Sequence, residues 1–104
     1  ASQSLLQTLV SAQTGATGNT SVASVSASAT SVSILAANAD RRKAIIFNAS
    51  DAFLYLKYGA TATSSDYTVR VDPWTPWEEW HHTGRIDGVW ASATGAALVT
   101  EVLP

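Results

Sequence analysis

The chain contains neither cysteine nor methionine. Without thiols it has no disulfide framework, no thiolate nucleophile and no cysteine-based metal site. Charge is scarce too: Asp, Glu, Lys and Arg make up 13% of the residues, about half the usual share of roughly 25%. From Ala1 to Ala39 no side chain is charged, and Asp40 is the first that is. The formal net charge is −2, and Arg41-Arg42-Lys43 is the one basic cluster. Gripping a polyanion needs clustered cations, so nucleic acid is excluded as the main partner. The cluster is expected to cap the start of a strand with its stems laid along the sheet. No run of 18 apolar residues exists, so no transmembrane helix is expected, and no membrane partner. A basic stretch followed by a long apolar core is also missing from the N-terminal residues, so synthesis in the cytoplasm is expected.

The residue patterns of enzymes are missing as well. There is no Gly-x-Ser-x-Gly elbow and no phosphate-binding loop. Asp66, Asp72 and Asp87 are the carboxylates that glycoside hydrolysis would need as a pair. Asp66 and Asp72 instead flank a strand as turn residues, and Asp87 precedes Gly88, where a β-bulge is expected. Glu78, Glu79, His81 and His82 are metal-ligand types lying close together. On an extended strand, however, Glu78 and His82 share a face with Trp80 between them, and zinc wants three or four ligands. No catalytic, cofactor-binding or metal-binding residue is therefore expected, and these polar side chains read as guards of an edge strand.

What the chain does have is small residues and β-formers. Ala (18), Ser (13) and Thr (12) together fill 43 of 104 positions, and the Thr, Val and Ile content favours sheet. Ser31–Leu35 alternates as a half-buried strand, Lys43–Asn48 is apolar on both faces, and Phe53–Tyr58 puts Leu54, Leu56 and Tyr58 on one side. Asp66–Asp72, Glu78–His82, Arg85–Ser92 and Ala96–Leu103 follow at roughly ten-residue spacing, with a weak strand over Ser21–Ala29. Short strands so spaced predict an all-β fold, a small antiparallel sandwich or barrel. Its core is expected from Ile34, Ile46, Leu54, Leu56, Val69 and Val89. The Ser-Ala-Thr-Gly turn at Ser92–Gly95 is expected to close a hairpin between the last two strands. Residues 1–21 read as an N-terminal arm, extended or briefly helical, and residues 22–104 as the β-domain. In the arm Leu5, Leu6 and Leu9 fall at helical spacing, but two turns are not stable alone in water. They are expected to contact another subunit or the shell of a larger assembly.

The stretches SVSILAANADRRKAIIFNASDAFLYLKYGATATSSDYTVRV and GRIDGVWASATGAALVTE resemble a small β-domain of tailed-bacteriophage structural proteins. The likeness covers about two-thirds of the chain. It implies a non-enzymatic virion protein, foremost a capsid decoration (cement) protein bound to the head shell, with the major capsid protein as partner and often a homotrimer. A tail, neck or fibre-base adaptor, or host-recognition piece, is the alternative within the virion. Asp72–Trp80 departs from the pattern: three tryptophans stand where relatives have a Gly- and Tyr-containing turn. Pro73 and Pro76 stiffen this segment, and a polyproline backbone would align Trp74, Trp77 and Trp80 on one side. Such a row is expected to be a protein contact platform. Rings closing the domain's own core, or a carbohydrate-binding module stacking sugars on the corner, are the other readings.

Overall fold

The structure is a computed structural model and describes residues 19–104. All regular structure among them is strand: β1 (Asn19–Ser26), β2 (Val32–Leu35), β3 (Lys43–Ala49), β4 (Leu54–Tyr58), β5 (Val69–Val71), β6 (Pro76–Glu79), β7 (Ile86–Trp90) and β8 (Ala96–Leu103). They form two antiparallel four-stranded sheets, β1-β8-β3-β6 and β2-β7-β4-β5. The fold is all-β, as the spacing predicts, and of its two forms it is the sandwich. β1 begins at Asn19, inside the stretch read as arm. Leu5, Leu6 and Leu9 lie outside the described residues.

Period-two alternation builds the core. On β3, Ala44, Ile46 and Asn48 are buried while Lys43, Ile45 and Phe47 are only half-buried. Leu54 and Leu56 of β4 face them with Ile34, Val71, Ile86, Trp90, Ala97 and Val99, and Trp90 is the largest side chain fully buried. Two expected core residues sit differently. Val69 is only partly buried against the cluster. Val89 is buried, but it pairs with Tyr55 and so lies on the opposite face of its sheet from Leu54 and Leu56.

The connections depart most from the sequence reading. β7 and β8 belong to different sheets, so the expected hairpin over Ser92–Gly95 does not form. The turn instead crosses between sheets, and it needs glycine twice over. Gly95 has a φ of +91°, and a Cβ there would lie 2.6 Å from the Ala49 carbonyl oxygen. Every connection but β4–β5 crosses in this way. The expected bulge at Gly88 falls on the partner strand instead, between Ser33 and Leu35. Gly88 makes room for it: an added Cβ would meet Ile34 Cγ1 at 2.8 Å.

Two buried polar side chains tie the loops to β3. Arg41, just before the strand, is buried rather than laid along the sheet. Its guanidinium donates to Glu101 Oε2 (2.9 Å) and to the carbonyls of Ala36 (2.6 Å), His82 (2.9 Å) and Gly84 (3.1 Å). Near the strand's other end, the Asn48 amide nitrogen donates to the carbonyls of Ala52 (2.8 Å), Val71 (3.1 Å) and Asp72 (3.2 Å). Its amide oxygen accepts from Ser50 Oγ (2.7 Å) and from Trp90 Nε1 (3.2 Å).

Candidate assembly surface

The three corner tryptophans do not form a row. Pro76–Glu79 is strand, not polyproline helix, and pairs with β3. Trp77 stands opposite the buried Ile46 and turns inward, where it packs against the core. Its indole N–H donates to the Tyr58 hydroxyl at 2.8 Å, joining the two sheets at their edge. Trp74 and Trp80 go the other way. Trp74 holds a left-handed φ of 58°, a conformation strained for a bulky residue. Its backbone N–H donates to the Asn48 carbonyl (2.8 Å), its indole N–H donates to Asp51 (2.8 Å), and its ring lies 6.4 Å from that of Phe47. Trp80 lies under the ammonium of Lys43, 4.1 Å from the ring centroid.

Phe47 and Lys43 both point outward from β3, so Trp74 and Trp80 flank one outer sheet face. The strand register shows what lies between them. Ile45 is level with Thr100 and Phe47 with Leu98, while Lys43 is level with Val102. Val22 on β1 is level with Thr100. The result is an outward-facing sheet of Val, Ile, Leu and Phe at its centre, with Thr20, Ser24 and Ser26 on the same side of β1; Val22 is 69% exposed, Leu98 42%, and Trp74 and Trp80 57% each. Its charged side chains, Lys43 and Glu78, lie 3.4 Å apart as an ion pair. Sequence reasoning found the tryptophans but missed Ile45, Phe47 and Leu98 as surface. Lys43–Asn48 reads as apolar on both faces, and among the described residues no third layer covers the outer one.

Behind the corner, Tyr58, Trp77, Glu79 and His82 form a small polar cluster. The His82 ring stacks on Tyr58 with centroids 4.7 Å apart. Burial, with a hydrogen bond to the Glu79 carboxylate, pushes the Tyr58 hydroxyl up to about 12. For Glu79, burial alone would raise the carboxyl. Hydrogen bonds from Tyr58 and from the His81 and His82 backbone N–H groups (2.6 and 2.7 Å), with the nearby His82, outweigh it and hold the group below its usual range.

Among the described residues no three His, Cys, Asp or Glu side chains come together in a way that could hold a metal ion. The three aspartates considered for hydrolysis each pair with a cation: Asp66 with Lys57 (2.6 Å), Asp72 with Arg70 (3.6 Å) and the buried Asp87 with Arg85 (2.6 Å). A cavity of about 580 Å³ lies on the other sheet, lined by Ser31, Tyr55, Thr61, Thr63 and Val89 among others. Its lining carries no charged side chain that could act as acid or base. Compared with protein-family models, with curated proteins and with solved structures, the chain matches none.

Proposed function

We propose that this chain is a non-enzymatic structural protein of a tailed-bacteriophage virion, a capsid decoration protein that seats its β1-β8-β3-β6 face on the head shell. One observation carries the reading: an open apolar sheet face bracketed by two exposed indoles, Trp74 and Trp80. A contiguous apolar surface of this kind marks an interaction site, and tryptophan is a preferred anchor at interface centres. The mechanism is mechanical. Copies bound across adjacent capsid subunits stabilise the assembled lattice, to which they bind, over free subunits, to which they do not. Leu5, Leu6 and Leu9 supply a second apolar contact to the shell.

The test is quantification of this chain against the major capsid protein in purified virions, with binding to emptied heads. Hundreds of copies per particle are expected, and removal of residues 1–18, which spares β1, should weaken binding. A copy number of about a dozen or fewer would place the protein in the tail, neck or fibre base. No association with particles, coupled to a tryptophan fluorescence change on adding host polysaccharide, would replace the proposal with a carbohydrate-binding role.

A further inference from the structure

Four strands lie at sheet edges: β1, β6, β2 and β5. An open edge presents unpaired N–H and C=O groups and templates the addition of a strand, so proteins blunt their edges. Three of these edges are blunted. β6 is four residues long, starts at Pro76 and carries Glu78 and Glu79. β2 is four residues long and broken by the bulge between Ser33 and Leu35. β5 has three residues, with Arg70 at its centre. β1 has none of these devices. It runs for eight residues, Asn-Thr-Ser-Val-Ala-Ser-Val-Ser, with no charge, no proline and no break in its ladder to β8. Among the described residues β8 is its sole strand partner, and Thr20 to Ser24 are all exposed.

We propose that β1 pairs antiparallel with β1 of a second copy of this chain, joining two sandwiches through one continuous eight-stranded sheet. An uncharged strand meets its own copy without repulsion, whereas β6 and β5 would bring like charges face to face. The register follows from geometry. Residues directly opposite in an antiparallel pair share a face, and faces alternate along the strand. The twofold axis must therefore pass through a residue position and not between two. Centring on Val22 sets Val22 against Val22 of the second copy and Thr20 against Ser24. Centring on Ala23 or Ser24 would set Val22 against serine, and centring on Ser21 would set it against threonine. Val22, the most exposed of the large hydrophobic residues, gains an apolar neighbour only in the first register. The pairing is made by the backbone at the edge of the sheet; Val22 also belongs to the outer face, so the test reads subunit mass and cross-linking, which do not depend on the proposed role. The pairing also differs from the threefold assembly that the resemblance implies, since an edge engaged with its own copy is closed to a third chain.

Because the chain has no cysteine, single cysteines test the register directly. In the full-length protein, V22C should form an intermolecular disulfide under mild oxidation. S24C should not, because the two copies of residue 24 would lie four positions out of step, ~14 Å apart at ~3.4 Å per residue, beyond disulfide reach. By light scattering the unmodified chain should show twice its 10.9 kDa subunit mass. V22K, which places like charges across the axis, should show the subunit mass alone with an unchanged far-ultraviolet circular dichroism spectrum, and its melting temperature should no longer rise with protein concentration. Four outcomes would each overturn the proposal: a monomeric or trimeric unmodified chain, a dimer that V22K leaves intact, equal cross-linking at both positions, or dimers appearing only after residues 1–18 are removed. The last would mean that those residues cover the edge in the same chain.

Discussion

The outer side chains of the β2-β7-β4-β5 sheet include Lys57, Arg70 and Asp87, with the Tyr55 and Tyr67 rings tilted against each other at 4.8 Å and the Arg70 guanidinium 4.2 Å over the Phe53 ring. Those of the β1-β8-β3-β6 sheet include Val22, Ile45, Phe47, Leu98 and Val102, beside the uncharged Thr20, Ser24, Ser26 and Thr100, with one ion pair at the β6 edge. The inner faces are alike, since both must fill one core. The outer faces differ in polarity: charged side chains with counter-ions lie on one, and the other carries the larger apolar side chains, a composition that suits an interaction site. The same contrast separates the tryptophans, with Trp77 holding the two sheets together and Trp74 and Trp80 on the open side.

The largest effect should come from breaking the tie between the two sheets at Asn48. Asn48→Leu strands the Trp90 indole N–H and takes a side-chain donor from the Val71 carbonyl inside the sandwich. A loss of about 3 kcal/mol or more in unfolding free energy is expected, measured by denaturant titration. A loss under about 1 kcal/mol would mean that water takes over the hub.

Next come the tryptophans taken as a set. Trp77→Ala should cost about 2–3 kcal/mol of stability, below the value for a fully buried ring because this one is half-buried, and should leave shell binding unchanged. Trp74→Ala and Trp80→Ala should shift stability by no more than about 0.5 kcal/mol and weaken binding to emptied heads about thirtyfold, equivalent to ~2 kcal/mol. Similar losses of stability for all three would erase the distinction between the two sides.

A charge placed on each sheet in turn sharpens the comparison. Leu98→Lys should abolish particle binding without unfolding the subunit, and Tyr67→Lys on the other sheet should do neither. Equal effects would show that docking does not discriminate between the faces.

The smallest effect lies at high pH. Tyr58 titrates at about 12 against an ordinary 10.0, so its contribution is complete below pH 10 and fades as pH rises from 10 to 12. Tyr58→Phe should flatten that part of a melting temperature–pH profile. An unchanged profile would mean that the Trp77–Tyr58–Glu79 contacts do not govern it.

Strand existence was the most legible feature, because its signal is local: Ser31–Leu35 alternates, Phe53–Tyr58 divides its apolar residues between two sides, and Lys43–Asn48 is a short run apolar on both faces. The weak reading over Ser21–Ala29 concealed β1, since a strand with one face in water and little apolar content carries almost no alternation signal. At the candidate site the tryptophans were visible as residue types, but not their division. Pro73 and Pro76 suggested a three-residue repeat, and pairing with β3 imposed a two-residue one.

Composition and periodicity alone determined that this chain is all-β, short of charge and without cysteine, with Ile46, Leu54 and Leu56 in its core. Tertiary structure alone decided that β7 and β8 part company at Gly95, that Trp77 turns in while Trp74 and Trp80 turn out, and that Ile45, Phe47 and Leu98 face solvent. The physical reason is the range of the forces involved. Alternation is written into neighbouring residues. Which strand a backbone pairs with, and whether a second layer covers a face, depends on hydrogen bonds and burial between residues far apart in the chain.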